Sequence, residues 1–352
     1  MRTPYPVTIA LEGGGSFGAF TWGVLERLLD VPALRIEVVS GASAGAMNAA
    51  MMVQGLSIAG PQQAKRELER FWRRVAAESV DLAFSFRGWM DIAGRLFAET
   101  MRRNGLRPQP AFTVNPLRAI LDDLLDVASF RQPHAPRLVV SATRVRTGES
   151  RLFTNDEIGV DVLLGSACLP TLFPTVQIGG EAYWDGGFSS NPPLRPLIEA
   201  GAPSDVIIVR TTPLERPDIP STGAEVAART TELAFGAALR QELRSLAVAQ
   251  RMLKPVPFLP MALARLRDAR IHMIGAEAEF RSLPTGRRLE TTWSFLSTMR
   301  GLGNEAATAW LSANLESIGR RSTIAPSLFE GSRLDELDQG AGVARLRRAA
   351  FR

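Results

Sequence analysis

A chain of 352 residues, 45% hydrophobic and 22% charged, has enough apolar material for one large globular α/β domain and is excluded from the disordered and fibrous classes. Its net charge of +5 comes from arginines interspersed with acids, Lys65 and Lys254 being the only lysines, so no basic stripe exists to read nucleic acid and no such partner is expected. Cys168 is the sole cysteine, which rules out an intramolecular disulfide and reads as a small core residue rather than a nucleophile.

No apolar run approaches the ~20 residues of a spanning helix, and Met1 is followed almost at once by a strand, leaving no room for a signal peptide. A cytoplasmic location is therefore expected, with any membrane contact peripheral. The first strand is Val7 to Leu11. It runs into Glu12-Gly13-Gly14-Gly15-Ser16-Phe17-Gly18, which opens a helix carrying Val24, Leu25, Leu28 and Leu29. Exposed backbone N–H groups in such a loop suit either a pyrophosphate or a developing oxyanion. A dinucleotide site wants an acid at the far end of the next strand, whereas Glu37 stands at its beginning. The oxyanion reading is favoured, and a nucleotide-binding protein using the Gly13–Gly18 loop is kept as an alternative.

The far end of that second strand, Ile36 to Val39, carries Gly41-Ala42-Ser43-Ala44-Gly45 and continues into an Ala- and Met-rich helix from Ala44 to Val53. Strand, Gly-x-Ser-x-Gly, helix is the pattern of a nucleophile elbow, in which Ser43 occupies the tip and a Cβ at either glycine would clash. A small-residue turn that merely lets a helix pack on a sheet has the same composition. Residues 62–130 then read as a helical insertion. Within it, Phe71-Trp72 and the Phe84 to Phe97 stretch, with Trp89-Met90 and Leu96-Phe97, lie near Arg87, Arg95, Arg102 and Arg103, as in a packed cap helix with a solvated basic face or an interfacial lid.

A serine nucleophile needs a base, and the two histidines have no catalytic context. His134 lies in a proline-flanked loop before the strand Leu138 to Ala142, and His272 alternates within a strand, so both read as structural. A carboxylate is the better candidate. Tyr183-Trp184-Asp185-Gly186-Gly187 ends an apolar strand with an acid whose aromatic neighbours would dry it, raise its pKa and improve it as a base. Alone, Asp-Gly-Gly is an ordinary turn. The loop that follows ends at Asn191-Pro192-Pro193. Val206 to Thr211 is a further strand, Glu225 to Leu253 one long helix, and Lys254 to Pro260 a breaker before a short basic helix from Met261 to Arg270. The breaker serves either as a crossover to the His272 strand or, through its apolar residues, as part of an acyl channel or membrane contact.

In this order the three motifs resemble those of the patatin-like phospholipases, lipid acyl hydrolases with a Ser-Asp dyad. Ser141-Ala142-Thr143, Thr147-Gly148-Glu149, and Ser166 through Pro170 to Phe173-Pro174 resemble the stretch leading to that family's acid. The resemblance covers residues 7–212 well and 272–319 more weakly, around Trp293-Ser294-Phe295-Leu296. It implies a mostly parallel central sheet covered by helices on both faces in one catalytic domain, 5–322. The core would be 7–212, the insertion 62–130, the C-terminal helical part 225–322, and 323–352 a mobile tail.

It further implies a serine acyl hydrolase of the phospholipase A or lysophospholipase kind acting on a lipid or acyl-ester substrate, without cofactor or metal. Ser43 would be the nucleophile and Asp185 the base. Gly13, Gly14, Gly15, Ser16 and Gly18 would form the oxyanion loop, Gly41, Ala42, Ala44 and Gly45 would shape the elbow, and Gly186 and Gly187 would complete the acid motif. A catalytically silent lipid- or partner-binding module of the same fold is the other alternative. Phe17 departs from the pattern, because many members carry Arg or Lys in this loop. Its presence shifts the expected substrate toward neutral esters, and Phe17→Arg is expected to leave their hydrolysis within a few fold of wild type.

Overall fold

Apolar runs without alternation form strands buried on both faces, and the centre of this protein is built from such runs. The computed structural model describes residues 3–78 and 114–324. Its strands are β1 (Tyr5–Leu11), β2 (Leu34–Gly41), β3 (Arg137–Arg144), β4 (Ser150–Thr154), β5 (Val176–Ile178), β6 (Glu181–Asp185), β7 (Asp205–Val209) and β8 (Arg270–Ile274). They form one sheet in the order β5-β6-β3-β2-β1-β7-β8, with β4 also pairing β3. The run from β3 through β2, β1 and β7 to β8 is parallel. The additions at the β3 end, β4, β6 and β5, are antiparallel.

The helices are α1 (Gly18–Leu28), α2 (Ala44–Ala59), α3 (61–78), α4 (Leu117–Leu124), α5 (Val160–Ser166), α6 (Arg195–Glu199), α7 (Gly223–Leu253), α8 (Met261–Asp268), α9 (Glu277–Ser282) and α10 (Trp293–Asn314). Alternation along the strands divides them between two faces. Ile9, Leu11, Ile207 and Val209 join a core with Phe20 and Leu25 of α1, Met47 and Met51 of α2 and Leu296 and Met299 of α10. Ala10, Val206 and Ile208 face the other way, onto Ile198 of α6, Leu239, Leu243 and Leu246 of α7 and Leu266 of α8. Both faces are covered, as the sequence predicts.

Several boundaries have local causes. A capping box starts α7, with Thr222 accepting from the Glu225 N–H and Glu225 reaching back to the Thr222 N–H, so the helix begins two residues before the predicted Glu225. The Arg300 guanidinium grips Glu26 through two hydrogen bonds of 2.7 and 2.8 Å, joining α10 to α1 and the C-terminal part to the core. Phe71 and Trp72 of the insertion are buried, and the Trp72 indole donates to Asn48 Oδ1 at 3.0 Å. The Phe84 to Phe97 stretch with Arg87, Arg95, Arg102 and Arg103 lies outside the described residues, as does nearly all of the expected tail. No described helix is long and apolar enough to cross a membrane.

The breaker after α7 makes the crossover to β8. Phe235 of α7 packs on Gly187, and Leu253 lies eighteen residues further on, roughly 27 Å at 1.5 Å per residue. That separation takes the exposed Met252, Phe258 and Met261 to the opposite end of the sheet from Ser43, so the acyl-channel reading of this segment is not met.

Candidate active site

Ser43 is the one non-glycine residue with positive φ among the described residues (φ 55°, ψ −128°). The chain turns from β2 into α2 with Gly41 and Gly45 in contact. A Cβ on Gly41 would stand 2.4 Å from the Gly45 carbonyl carbon, and one on Gly45 would stand 2.3 Å from the Leu11 carbonyl oxygen. Such backbone strain costs about 1–3 kcal/mol and persists only when the surroundings enforce it. Here the Ser43 N–H donates to the Ser166 carbonyl at 3.1 Å and hydroxyl at 3.0 Å, while the Ser43 carbonyl accepts from Ala46 and Met47 in the first turn of α2. The positive end of that helix therefore stands directly behind the serine.

Strand pairing explains how a distant carboxylate reaches this point. Each strand has two edges, and β4 pairs with Val139 to Thr143 of β3, overlapping the β3 residues used by both β2 and β6. The last two therefore share the opposite edge. There β2 ends at Gly41 opposite Val140, and β6 arrives from the other direction to end at Asp185 opposite Ala142. The two strand ends meet, one followed by Ser43 and the other closed by Asp185.

Asp185 is fully buried. Its main chain is clamped, the N–H donating to the Cys168 carbonyl at 2.8 Å and the carbonyl accepting from the Thr143 hydroxyl at 2.8 Å. Its Oδ1 accepts the Gly187 N–H at 2.8 Å, while Oδ2 has no hydrogen-bond partner among the described residues. Burial pushes the carboxyl up to about 7, against smaller opposing effects of the Gly187 N–H and the nearby Ser43 hydroxyl. Ser43 is thus close enough to favour the carboxylate, yet no formed hydrogen bond from it satisfies Oδ2 in this conformation.

The glycine loop completes the site. Gly13 touches Ser43 so closely that a Cβ on it would stand 2.7 Å from the Ser43 Cβ. Its N–H donates to Asn191 Oδ1 at 2.7 Å, and the Gly18 N–H turns back to the carbonyls of Gly15 and Ser16. The N–H groups of Gly14, Gly15 and Ser16 have no acceptor among the described residues. These three are the donors available to a ligand, while Gly13 and Gly18 serve the shape of the loop.

Two residues without an assigned role in the sequence reading hold this arrangement. Asn191 is buried six positions beyond Asp185 and also donates from Nδ2 to the Phe235 carbonyl at 3.5 Å. Glu12 ends the first buried run, and its Oε2 accepts the N–H groups of Thr211 and Thr212 at 2.6 and 2.8 Å, fixing the loop to the end of β7. Burial raises the Glu12 carboxyl above its ordinary range despite Arg210 and those N–H groups. An acid closing an apolar strand immediately before three glycines was the available signal.

The remaining candidates are placed elsewhere. Phe17 is a core residue, fully buried with its ring centroid 5.3 Å from that of Phe280, so it does not stand in the loop as a surface substitute for a cation. His272 pairs with Ile207, which leads across β1 to Val39. Three strand spacings and four residues separate it from Ser43, on the order of 20 Å. Its Nε2 lies 3.0 Å from Asp205 Oδ1. His134 Nε2 lies 2.8 Å from the Ser57 carbonyl near the end of α2. Cys168 is buried with its thiol aimed at the Pro174 carbonyl, 3.2 Å away, and burial pushes it up to about 12, keeping it protonated. Among the described residues, no group of three or more His, Cys, Asp or Glu side chains could hold a metal ion.

No curated protein matches the chain. Among solved structures it is similar to VipD from Legionella pneumophila, with 12% identity over 89% of this chain and 67% of that one and a TM-score of 0.37. It is also similar to a chain of the heterodimeric ExoU–SpcU complex from the type III secretion system of Pseudomonas aeruginosa, with 17% identity over 93% and 74% and a TM-score of 0.31. Residues 9–198 match the family described as patatin-like phospholipase, a span that includes the glycine loop, the Ser43 turn and Asp185. That match takes in more than half of the chain, and the protein belongs to the patatin-like phospholipase family, whose chemistry is the hydrolysis of lipid acyl esters.

Proposed function

We propose that this protein is a serine acyl hydrolase that cleaves carboxylic esters of phospholipids or lysophospholipids through a Ser43–Asp185 dyad. The observation that carries the reading is the pairing of a strained serine with a fully buried aspartate whose Oδ2 has no partner among the described residues. A carboxyl raised to about 7 is suited to accept and return a proton near neutral pH.

In the first step Ser43 Oγ attacks the ester carbonyl carbon and its proton passes to Asp185. The carbonyl oxygen, now negative, is held by the N–H groups of Gly14, Gly15 and Ser16 with the helix dipole of α2 behind the nucleophile. Collapse of the tetrahedral intermediate expels the alcohol, which takes the proton from Asp185 and leaves an acyl-serine. Water then attacks the acyl-serine with Asp185 again as base, releasing the fatty acid and restoring Ser43. No histidine takes part.

Release of fatty acid from vesicles of phosphatidylcholine, lysophosphatidylcholine and a neutral monoacylglycerol tests this. Wild type is expected to turn over at least one of the first two, and Ser43→Ala and Asp185→Asn each to lose about 10³-fold or more in kcat. Turnover that persists in folded Ser43→Ala contradicts the mechanism.

A further inference from the structure

A short 3-10 segment, Thr285–Leu289, crosses the glycine loop. Ser16 Oγ donates to the Arg287 carbonyl at 2.9 Å, and a Cβ on Gly15 would stand 2.3 Å from the Arg288 carbonyl oxygen. The Arg288 side chain, 13% exposed, turns toward the loop. Its Nη1 lies 3.5 Å from the point a Gly14 Cβ would occupy, and Nη2 donates to Thr212 Oγ1 at 3.2 Å and to the Thr211 carbonyl at 3.4 Å. The guanidinium lies over the Phe17 ring, 5.0 Å from its centroid, and its Nε has no hydrogen-bond partner among the described residues.

The local charge balance leaves this guanidinium incompletely neutralised. Arg288 approaches Glu232 at 3.5 Å, but Glu232 already accepts two hydrogen bonds from Arg216, at 3.1 and 2.9 Å, and a third from Arg229. Three guanidinium groups thus share one carboxylate. Nearby Arg210 is paired with Glu277, and the buried Glu12 carboxylate also faces Arg288 and Arg210, so four guanidinium groups meet three carboxylates. The excess is positive and lies against Gly14 and Gly15, whose N–H groups have no acceptor among the described residues. A buried aromatic at position 17 gives the guanidinium a face to stack on.

We propose that Arg288 is a positioning residue of the glycine loop: it fixes the loop through the crossing segment and sets behind its N–H donors a positive charge that the loop's own sequence does not supply. The inference rests on the Ser43–Asp185 reading and deepens it. A planar cation held against the loop, rather than within it, stabilises the oxyanion through the oriented amides without touching substrate.

The test is steady-state hydrolysis of p-nitrophenyl butyrate, together with the rate of covalent labelling by a fluorophosphonate, in wild type, Arg288→Gln and Arg288→Lys. Arg288→Gln keeps a planar group over Phe17 without its charge. It is expected to lower kcat and the labelling rate about 10- to 100-fold, less than the ~10²- to 10³-fold of a lost direct donor, with KM within about twofold of wild type. Arg288→Lys is expected to recover most of both rates. Wild-type rates in Arg288→Gln, or a folded Arg288→Lys as slow as Arg288→Gln, would overturn the proposal. Should Arg288→Gln fail to fold, Arg288→Lys decides alone, near-wild-type kcat supporting and a loss beyond about 100-fold opposing it. A wild type that neither labels nor turns over contradicts the Ser43–Asp185 reading itself, an outcome distinct from unaffected Arg288 variants in an active enzyme.

Discussion

The Gly13 N–H and Asn191 Oδ1 are joined by a buried 2.7 Å hydrogen bond, which ties the glycine loop to the segment that carries the acid. Asn191→Ala removes the acceptor and leaves a buried N–H unsatisfied, at a cost of about 1–3 kcal/mol. Because that N–H belongs to the residue touching Ser43, the folded variant is expected to hydrolyse esters at least ~10-fold more slowly, since small misplacements of reacting groups are costly. Urea unfolding and initial rates measured on one preparation check both parts.

Asp185 sets the pH response. Its carboxyl is raised from 3.8 to about 7 by burial, so the basic form accumulates as pH rises and kcat/KM is expected to climb to a plateau above about 7. Stability moves the other way. Since the folded-state pKa exceeds the unfolded one, the wild type is progressively destabilised from about pH 4 to pH 7 and no further above it. Asp185→Asn, inactive, is expected to be more stable to unfolding than wild type at pH 8, by up to roughly 4 kcal/mol, and to lose that advantage at pH 4.

Asp205 behaves oppositely. Burial would raise its carboxyl, but hydrogen bonds from His272, Arg270 and the Gly319 N–H, with the Arg270 charge, hold it below the ordinary range. This stabilisation is present above about pH 4 and is lost as pH falls below it. Asp205→Asn is expected to cost about 3 kcal/mol at pH 7, since it strips a buried cluster of its charge, and progressively less as pH falls from about 4 towards 2. His272→Ala should lower the melting temperature while hydrolysis per folded molecule stays within a few fold, measured by active-site titration.

Phe17→Arg now carries a different expectation from the one its position in the loop suggests. The new cation would have to enter the aromatic core beside Arg288, whose guanidinium already stacks on this ring. Unfolding at lower denaturant and loss of ester hydrolysis are expected, whereas Phe17→Leu keeps an apolar group and should retain the fold.

Much of this was legible where one local pattern determined the outcome. Val7 to Leu11 reads as a strand buried on both sides, and Gly41-Ala42-Ser43-Ala44-Gly45 after such a strand reads as a sharp turn into a helix. Asp185 is buried as its sequence neighbours suggest, although Tyr183 packs on Phe153 and the Trp184 indole donates to Thr175. Long-range relationships were not legible, since the partner lies outside any window of sequence. Nothing near Gly13 names Asn191, nothing near Gly14 names Arg288, and Phe17 reads as a loop residue until α9 and α10 are seen to bury it. Likewise, the short β6 gives no hint that it shares an edge of β3 with β2, although that pairing brings Asp185 to Ser43.

Labelling of the purified protein with a fluorophosphonate, with lipid or detergent present, tests the central claim most directly. Covalent labelling of the wild type at Ser43, abolished in Ser43→Ala and in Asp185→Asn, is the predicted result. A folded wild type that takes up no label, or label retained in Ser43→Ala, would contradict an activated serine at this turn.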